Sequence, residues 1–72
     1  MRLFDYSKLK GRIVEKLGTM QHFADEMGWS LSTNGKKLSN KAAWAQDEIL
    51  KACAILSIEL RDIPLYFFTL DC

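Results

Sequence analysis

Apolar residues recur at spacings of three and four along most of the chain, which is the pattern of amphipathic helices. A first helix is predicted to start from a cap at Asp5 or Ser7 and to run to about Lys16. Its inner face would carry Tyr6, Leu9, Ile13 and Leu17. The opposite side of this helix is basic, so one face is expected to be buried and the other solvated.

The most informative stretch runs from Gly18 to Ser30 and predicts a short capped helix, a glycine turn and the start of another helix. Thr19 can accept the first amide hydrogen bonds of a helix over residues 20–27. Gly28 supplies the positive φ of a tight exit, and Ser30 can cap a helix over residues 31–38. This is the outline of a helix-turn-helix, although any pair of adjacent short helices has a similar pattern.

A fourth helix is predicted from near Ala45 to near Leu56, after a turn at residues 39–41. Asp47 and Glu48 fall in its first turn, where carboxylates interact favourably with the helix dipole. Its apolar face would carry Ile49, Cys53 and Leu56. The spacing therefore places this helix against the core of the domain.

The last segment predicts a connection over residues 57–61 and then a short helix capped by Asp62, with Pro64 in its first turn. No segment alternates at period two for long enough to predict a strand, although residues 65–70 could extend. The fold class expected is all-α, a compact bundle of about five short helices. A chain of 72 residues has room for one such domain, spanning residues 1–72.

The composition is that of a globular protein, with 49% hydrophobic and 26% charged residues. No apolar run approaches the roughly 20 residues of a membrane span, and residues 1–5 lack a secretion signal. A cytoplasmic location is expected. The two cysteines, Cys53 in a helical pattern and Cys72 at the end, do not form a disulfide framework, and we expect one buried and one frayed thiol.

Charge is unevenly distributed along the chain although the net charge is only +1. Residues 1–41 hold eight Lys or Arg and four Asp or Glu, whereas residues 42–72 hold two and five. One face could therefore meet an anionic partner and another a basic one. Scattered solvated charge is the alternative explanation.

Three phrases along the chain resemble small phage helix-turn-helix regulators. They are FDYSKLKGRI at residues 4–13, QDEILKA at residues 46–52 and IPLYFF at residues 63–68. The nearest likeness is to the Cro-like proteins of temperate phages of Gram-positive bacteria and, within them, to the modulators of repression (antirepressors) of lactococcal phages. The resemblance implies control of the lysis-lysogeny switch in the cytoplasm of a bacterial host cell, either by binding operator DNA or by acting on the phage lysogeny repressor.

The third helix departs from the usual pattern of such motifs at Asn34, where an aliphatic core residue is normal, and Gly35 follows it. An interior glycine costs about 1 kcal/mol relative to alanine, and a polar core position forgoes about 1.5–3 kcal/mol of burial. We expect this helix to be loosely held. It offers no arginine for reading base edges. The candidates for contact with DNA are Ser32, Thr33, Lys36, Lys37 and Lys41.

Aromatic and acidic residues form the competing candidate surface, suited to the basic DNA-reading face of a repressor. Tryptophans in so small a domain also commonly belong to the core, and exposed acids are commonly only solvated. At least one of the adjacent residues Phe67 and Phe68 must be buried. The candidate contacts with a repressor are Trp29, Trp44, Tyr66, Phe67, Phe68, Asp25, Glu26, Asp47 and Glu48.

Enzymatic function is not expected from this sequence. His22 is the only histidine, and the chain has no paired-cysteine metal spacing, phosphate-binding glycine loop or nucleophile elbow. No cofactor, metal, small-molecule substrate or membrane partner is expected. The function predicted is that of an antirepressor, which binds the phage lysogeny repressor and blocks its DNA binding; the alternative is a Cro-like repressor that binds operator DNA through the third helix.

Overall fold

The computed structural model describes residues 4–70. Within them the elements are α1 (Ser7–Leu17), α2 (Met20–Met27), α3 (Leu31–Leu38), α4 (Gln46–Leu56), a 3₁₀ turn (Leu60–Asp62) and α5 (Ile63–Phe67). The β-structure in this range is an isolated antiparallel bridge between Phe4 and Leu70. The predicted all-α bundle of five short helices is confirmed, and the suggestion that residues 65–70 extend is wrong over most of that range.

The caps predicted between α1 and α3 are present. Thr19 Oγ1 accepts a hydrogen bond from the His22 amide at 3.1 Å, and Ser30 Oγ accepts one from the Thr33 amide at 3.1 Å. Gly28 adopts a φ of 81° in the left-handed region, where a side chain would be strained. These three residues fix where α2 begins, where it ends and where α3 begins.

Two other predicted caps are wrong. Tyr6, rather than Asp5 or Ser7, occupies the N-cap position of α1, and the Asp5 carboxylate accepts a hydrogen bond from the Ser7 amide at 2.9 Å. The Ser7 hydroxyl and amide both lower the pKa of Asp5. Asp62 precedes α5 without a side-chain cap, because the chain enters that helix directly from the 3₁₀ turn.

The core lies where α1 packs against α2, α4 and α5, whereas α3 packs mainly against α2. Its largest fully buried apolar side chains are Phe23, Phe67, Leu9, Ile13 and Leu56. The predicted inner faces of α1 and α4 therefore do point to the core. None of the helices within residues 4–70 is long and apolar enough to cross a membrane.

The two ends of the described chain are held together beside this core. Asn40, at a φ of 67°, accepts a hydrogen bond from the Phe4 amide at 3.0 Å and donates one to the Phe4 carbonyl at 2.8 Å. The Asp5 amide donates to the Thr69 carbonyl at 2.7 Å. Both ends of the described range therefore lie beside the turn that follows α3.

Cys53 is buried in α4, and this burial raises the pKa of its thiol. The prediction of a buried cysteine at this position is confirmed. The other predicted thiol, Cys72, lies outside the described residues.

Candidate interaction surfaces

Asn34 is a fully buried, hydrogen-bonded member of α3, with 1% of its surface exposed. Its side-chain oxygen accepts a hydrogen bond from Trp29 Nε1 at 3.0 Å, and its amide nitrogen lies 3.9 Å from the sulfur of Met20. The energetic cost assigned to a polar residue at this position left out these partners and was too high, because a buried polar group with a partner avoids most of the desolvation penalty. That α3 is loosely held stays a prediction.

The two tryptophans form one aromatic cluster with Phe67. The Trp29 and Trp44 rings meet edge to face with centroids 5.5 Å apart, and Trp44 meets Phe67 in the same way at 5.1 Å. Trp44 Nε1 donates to the Lys37 carbonyl at 3.0 Å. Both tryptophans are half-buried, so each has a packed side and an accessible side. Phe67 is 1% exposed and belongs to the core, so its assignment as a partner contact is corrected.

Lys37 and Glu48 bind each other across the α3–α4 connection. The Lys37 ammonium lies 2.8 Å from Glu48 Oε1, donates to the Ala43 carbonyl at 2.6 Å and lies 5.5 Å from the centre of the Trp29 ring. The same carboxylate oxygen accepts the Ala45 amide at 2.8 Å, and that hydrogen bond and Lys37 lower the pKa of Glu48. Both side chains are therefore engaged within the chain, and their assignment to partner surfaces stays a prediction.

An accessible apolar surface lies where the start of α4 meets α5. A groove of about 400 Å³ is lined there by Trp44, Gln46, Ile49, Leu50, Ile63 and Phe68, which we call the α4–α5 face. An adjoining groove of about 330 Å³ shares Trp44, Ile49 and Phe68 with it. Leu50 and Phe68 are 45% and 48% exposed. Exposed aromatic and leucine side chains in one contiguous patch are typical of protein-binding surfaces.

The acidic candidates are divided between different parts of the surface. Asp47 is exposed one helical turn before Leu50 and therefore lies at the edge of the α4–α5 face. Asp25 and Glu26 are exposed on α2 and line neither groove. Tyr66 borders a third depression with residues of α1, including Arg12. The structure therefore places Trp44 and Phe68 on the α4–α5 face with Asp47 at its edge, whereas Asp25, Glu26 and Tyr66 lie elsewhere.

The candidate DNA-contacting residues on and after α3 also differ in their solvent exposure and in their hydrogen bonding. Ser32, Lys36 and Lys41 are exposed. Thr33 is half-buried, and its hydroxyl accepts a hydrogen bond from Ser30 Oγ at 3.1 Å. Leu31, which sequence reasoning left out, is 49% exposed in the first turn of this helix. An apolar residue there cannot hydrogen-bond a base edge.

Sequence reasoning also left out Leu50, which is exposed, and Ile63, which is half-buried, as lining residues of the α4–α5 face. A leucine next to a predicted core position on α4 gives no signal by itself. Its exposure depends on how α5 packs against α4, which the helical spacing does not determine. One feature of the sequence could have indicated that Leu50 is exposed. Leu50 follows Asp47 by one helical turn, so the two residues share a face of α4.

Comparison with known proteins identifies the class to which this chain belongs. Residues 2–70 match the family described as "Protein of unknown function (DUF739)", and the chain is a member of that family. No curated protein matches it.

The chain is also similar to a solved structure, the solution structure of the modulator of repression (MOR) of the temperate bacteriophage TP901-1 from Lactococcus lactis. The two are 51% identical, with a TM-score of 0.81, over 90% of this chain and 88% of that chain. This confirms the resemblance found in the sequence and supports a role as a phage regulator. The relative is named as a modulator of repression and not as an enzyme.

Proposed function

We propose that this chain is an antirepressor of the lysis-lysogeny switch, which binds the phage lysogeny repressor through the α4–α5 face and blocks its DNA binding. The observation that carries the proposal is the juxtaposition of Trp44, Leu50 and Phe68 on one accessible face with Asp47 at its edge. The similarity to a phage modulator of repression supports it independently.

The chemistry of the face suits a surface that reads DNA. Such a surface is basic and presents hydrogen-bond donors to phosphates. Asp47, on α4, can attract that charge and speed the encounter, while desolvation of Phe68 and Leu50 slows release. Glu48 contributes by holding the first turn of α4 in place, because its carboxylate accepts the Ala45 amide.

Direct operator binding through α3 receives less support from the described residues. Lys37 is paired with Glu48, and Thr33 is bonded to Ser30, so two of the five candidate contacts are already engaged. The exposed lysines Lys36 and Lys41 can hold phosphates but give little discrimination among bases. We therefore expect the isolated protein to bind DNA weakly, with an affinity that falls steeply with salt.

The test is a gel-shift titration of the lysogeny repressor on its operator, with this protein added in increasing amounts. The parent should release the DNA. Phe68→Ala should weaken binding to the repressor by at least about 2 kcal/mol, or roughly thirtyfold, if it is an anchor. Asp47→Lys should mainly slow association, and its effect should diminish as salt is raised.

Matched controls exist on the same chain. Leu60→Ala removes a leucine that is 66% exposed in the 3₁₀ turn and lines neither groove, and Asp25→Lys reverses a charge away from the face. Both should bind the repressor as the parent does, and thermal unfolding should show that all variants fold. If Phe68→Ala and Leu50→Ala variants are folded and fully active, the face is not the one used. Selective submicromolar binding of operator DNA by the protein alone would favour the Cro-like alternative.

A further inference from the structure

A further groove lies along α3, and it shares no lining residue with the α4–α5 face. It has a volume of about 290 Å³ and is lined by Lys10, Met20, Leu31, Asn34, Gly35, Leu38 and Ser39. We call it the α3 groove. Since Asn34 and Leu38 are buried, the accessible part of its wall is mainly Leu31, Met20 and the backbone at Gly35.

Gly35 has no evident internal reason to be a glycine. Its backbone is helical, and a Cβ built on it would meet nothing within 4 Å. An interior helical glycine reduces helix stability. Within the described residues, neither a turn nor a close packing contact requires a glycine at this position. Glycine in a helix also lets another backbone or a bulky side chain approach closely. At Gly35 that space opens to the outside.

The charge around the groove indicates the kind of partner. Among the residues that line the α3 groove, Lys10 carries a charge, and Lys36 is exposed next to Gly35 on α3. No carboxylate is among the lining residues. An apolar floor with a basic edge complements an apolar side chain flanked by carboxylates. Nucleic acid fits less well, because the side chains of Leu31 and Met20 have no hydrogen-bond donor for phosphates or bases.

We propose that the α3 groove binds an acidic amphipathic helix of a protein partner, which inserts a leucine-sized or phenylalanine-sized side chain over Gly35. The site is separate from the α4–α5 face and takes a partner of opposite charge to the one suited to that face. The proposal therefore does not depend on the antirepressor function, and both partners could be bound at once.

The probe is a synthetic helical peptide with one leucine flanked by glutamates one turn to either side, titrated into the ¹⁵N-labelled full chain. Saturable shifts are expected for the amides of Leu31, Gly35 and Ser39. Gly35→Leu should fill the groove and lower the affinity by at least about tenfold without lowering the melting temperature. Lys10→Glu should also weaken binding, and Leu60→Ala should not.

Three results would overturn the proposal. The first is the absence of a saturable shift, or an equal response to a peptide with lysines in place of the glutamates. The second is a response at Leu50 and Phe68 instead, which would assign the peptide to the α4–α5 face. The third is that a short DNA duplex shifts the amides of the α3 groove and binds there with higher affinity than the peptide does. Because Gly35→Leu leaves the α4–α5 face intact, the repressor gel shift should be unchanged for this variant.

Discussion

A small number of polar side chains link α3 to Trp29 before it and to the start of α4 after it. Asn34 accepts from Trp29, Trp44 donates to the Lys37 carbonyl, and Lys37 pairs with Glu48. These bonds form a path from inside α3 to the start of α4. Within so small a domain, each hydrogen bond of this kind is worth a sizeable share of the stability.

A double-mutant cycle at Trp29 and Asn34 measures the first of these bonds. Asn34→Leu should lower the unfolding free energy by about 1 kcal/mol, because the Trp29 N–H loses its acceptor in a half-buried position. In a Trp29→Phe background the same substitution should be neutral or stabilising, because no donor remains unpaired. Urea unfolding of the four proteins gives the coupling energy. A coupling near zero would show that the bond contributes nothing to stability.

The carboxylate of Glu48 predicts a pH dependence of stability. Because its pKa in the folded protein is lowered from about 4.5, ionised Glu48 stabilises the fold above that value, and the contribution is lost as pH falls through the folded pKa. Glu48→Gln should therefore be less stable than the parent by about 1 kcal/mol at pH 7. The difference should shrink toward pH 3. Glu26→Gln, at an exposed carboxylate of α2, is the control and should differ little at either pH.

At the scale of the elements, local signals determined most boundaries. Thr19, Gly28 and Ser30 specify their caps through short-range chemistry that depends on neighbouring residues only. The errors arise where a partner is distant in sequence. Arg12 belongs to the basic side of α1 that the sequence analysis expected to be solvated, yet it donates from Nε to the Leu56 carbonyl at 2.9 Å and from Nη2 to the Ser57 carbonyl at 3.1 Å. It thus binds the last carbonyls of α4, and no local pattern indicates this.

The turn after α3 gives a prediction of its own, since Asn40 both adopts a positive φ and holds Phe4. Asn40→Ala should lose two hydrogen bonds and add backbone strain, lowering the unfolding free energy by about 2–3 kcal/mol. Asn40→Gly should lower it by about 1–2 kcal/mol, because it loses the bonds but tolerates the backbone angle. Equal effects in thermal unfolding would show that the backbone angle has no part in the role of Asn40.

At the scale of the whole molecule, the helices differ in how many neighbours they have. The all-α class was predictable because apolar spacing of three and four marks every long helix, and the core positions on α1 and α4 follow from that spacing. The α4–α5 face was only partly predictable. Phe68 and Trp44 were proposed from residue type, whereas the burial of Phe67 and the exposure of Leu50 depend on how helices dock against one another.

This difference in packing predicts an order of local stability. Because α1 packs against α2, α4 and α5, and α4 packs against α1 and α2, whereas α3 packs mainly against α2, the amides of α3 should exchange with solvent faster than those of α1 and α4. Native-state hydrogen exchange followed by NMR measures this directly. Gly35→Ala should slow exchange within α3 selectively, since it raises helix propensity without a clash. Uniform protection across the helices would contradict the prediction.

The edge-to-face contact between the Trp29 and Trp44 rings gives the molecule an intrinsic optical probe. Two indoles with centroids 5.5 Å apart should couple electronically and give a near-ultraviolet circular dichroism signal that neither indole gives alone. Trp44 also lines the α4–α5 face, so a partner seated there should shift its fluorescence, whereas detachment of α3 should abolish the coupled dichroism. An unlabelled sample therefore reports occupancy and local opening as two separable spectral changes.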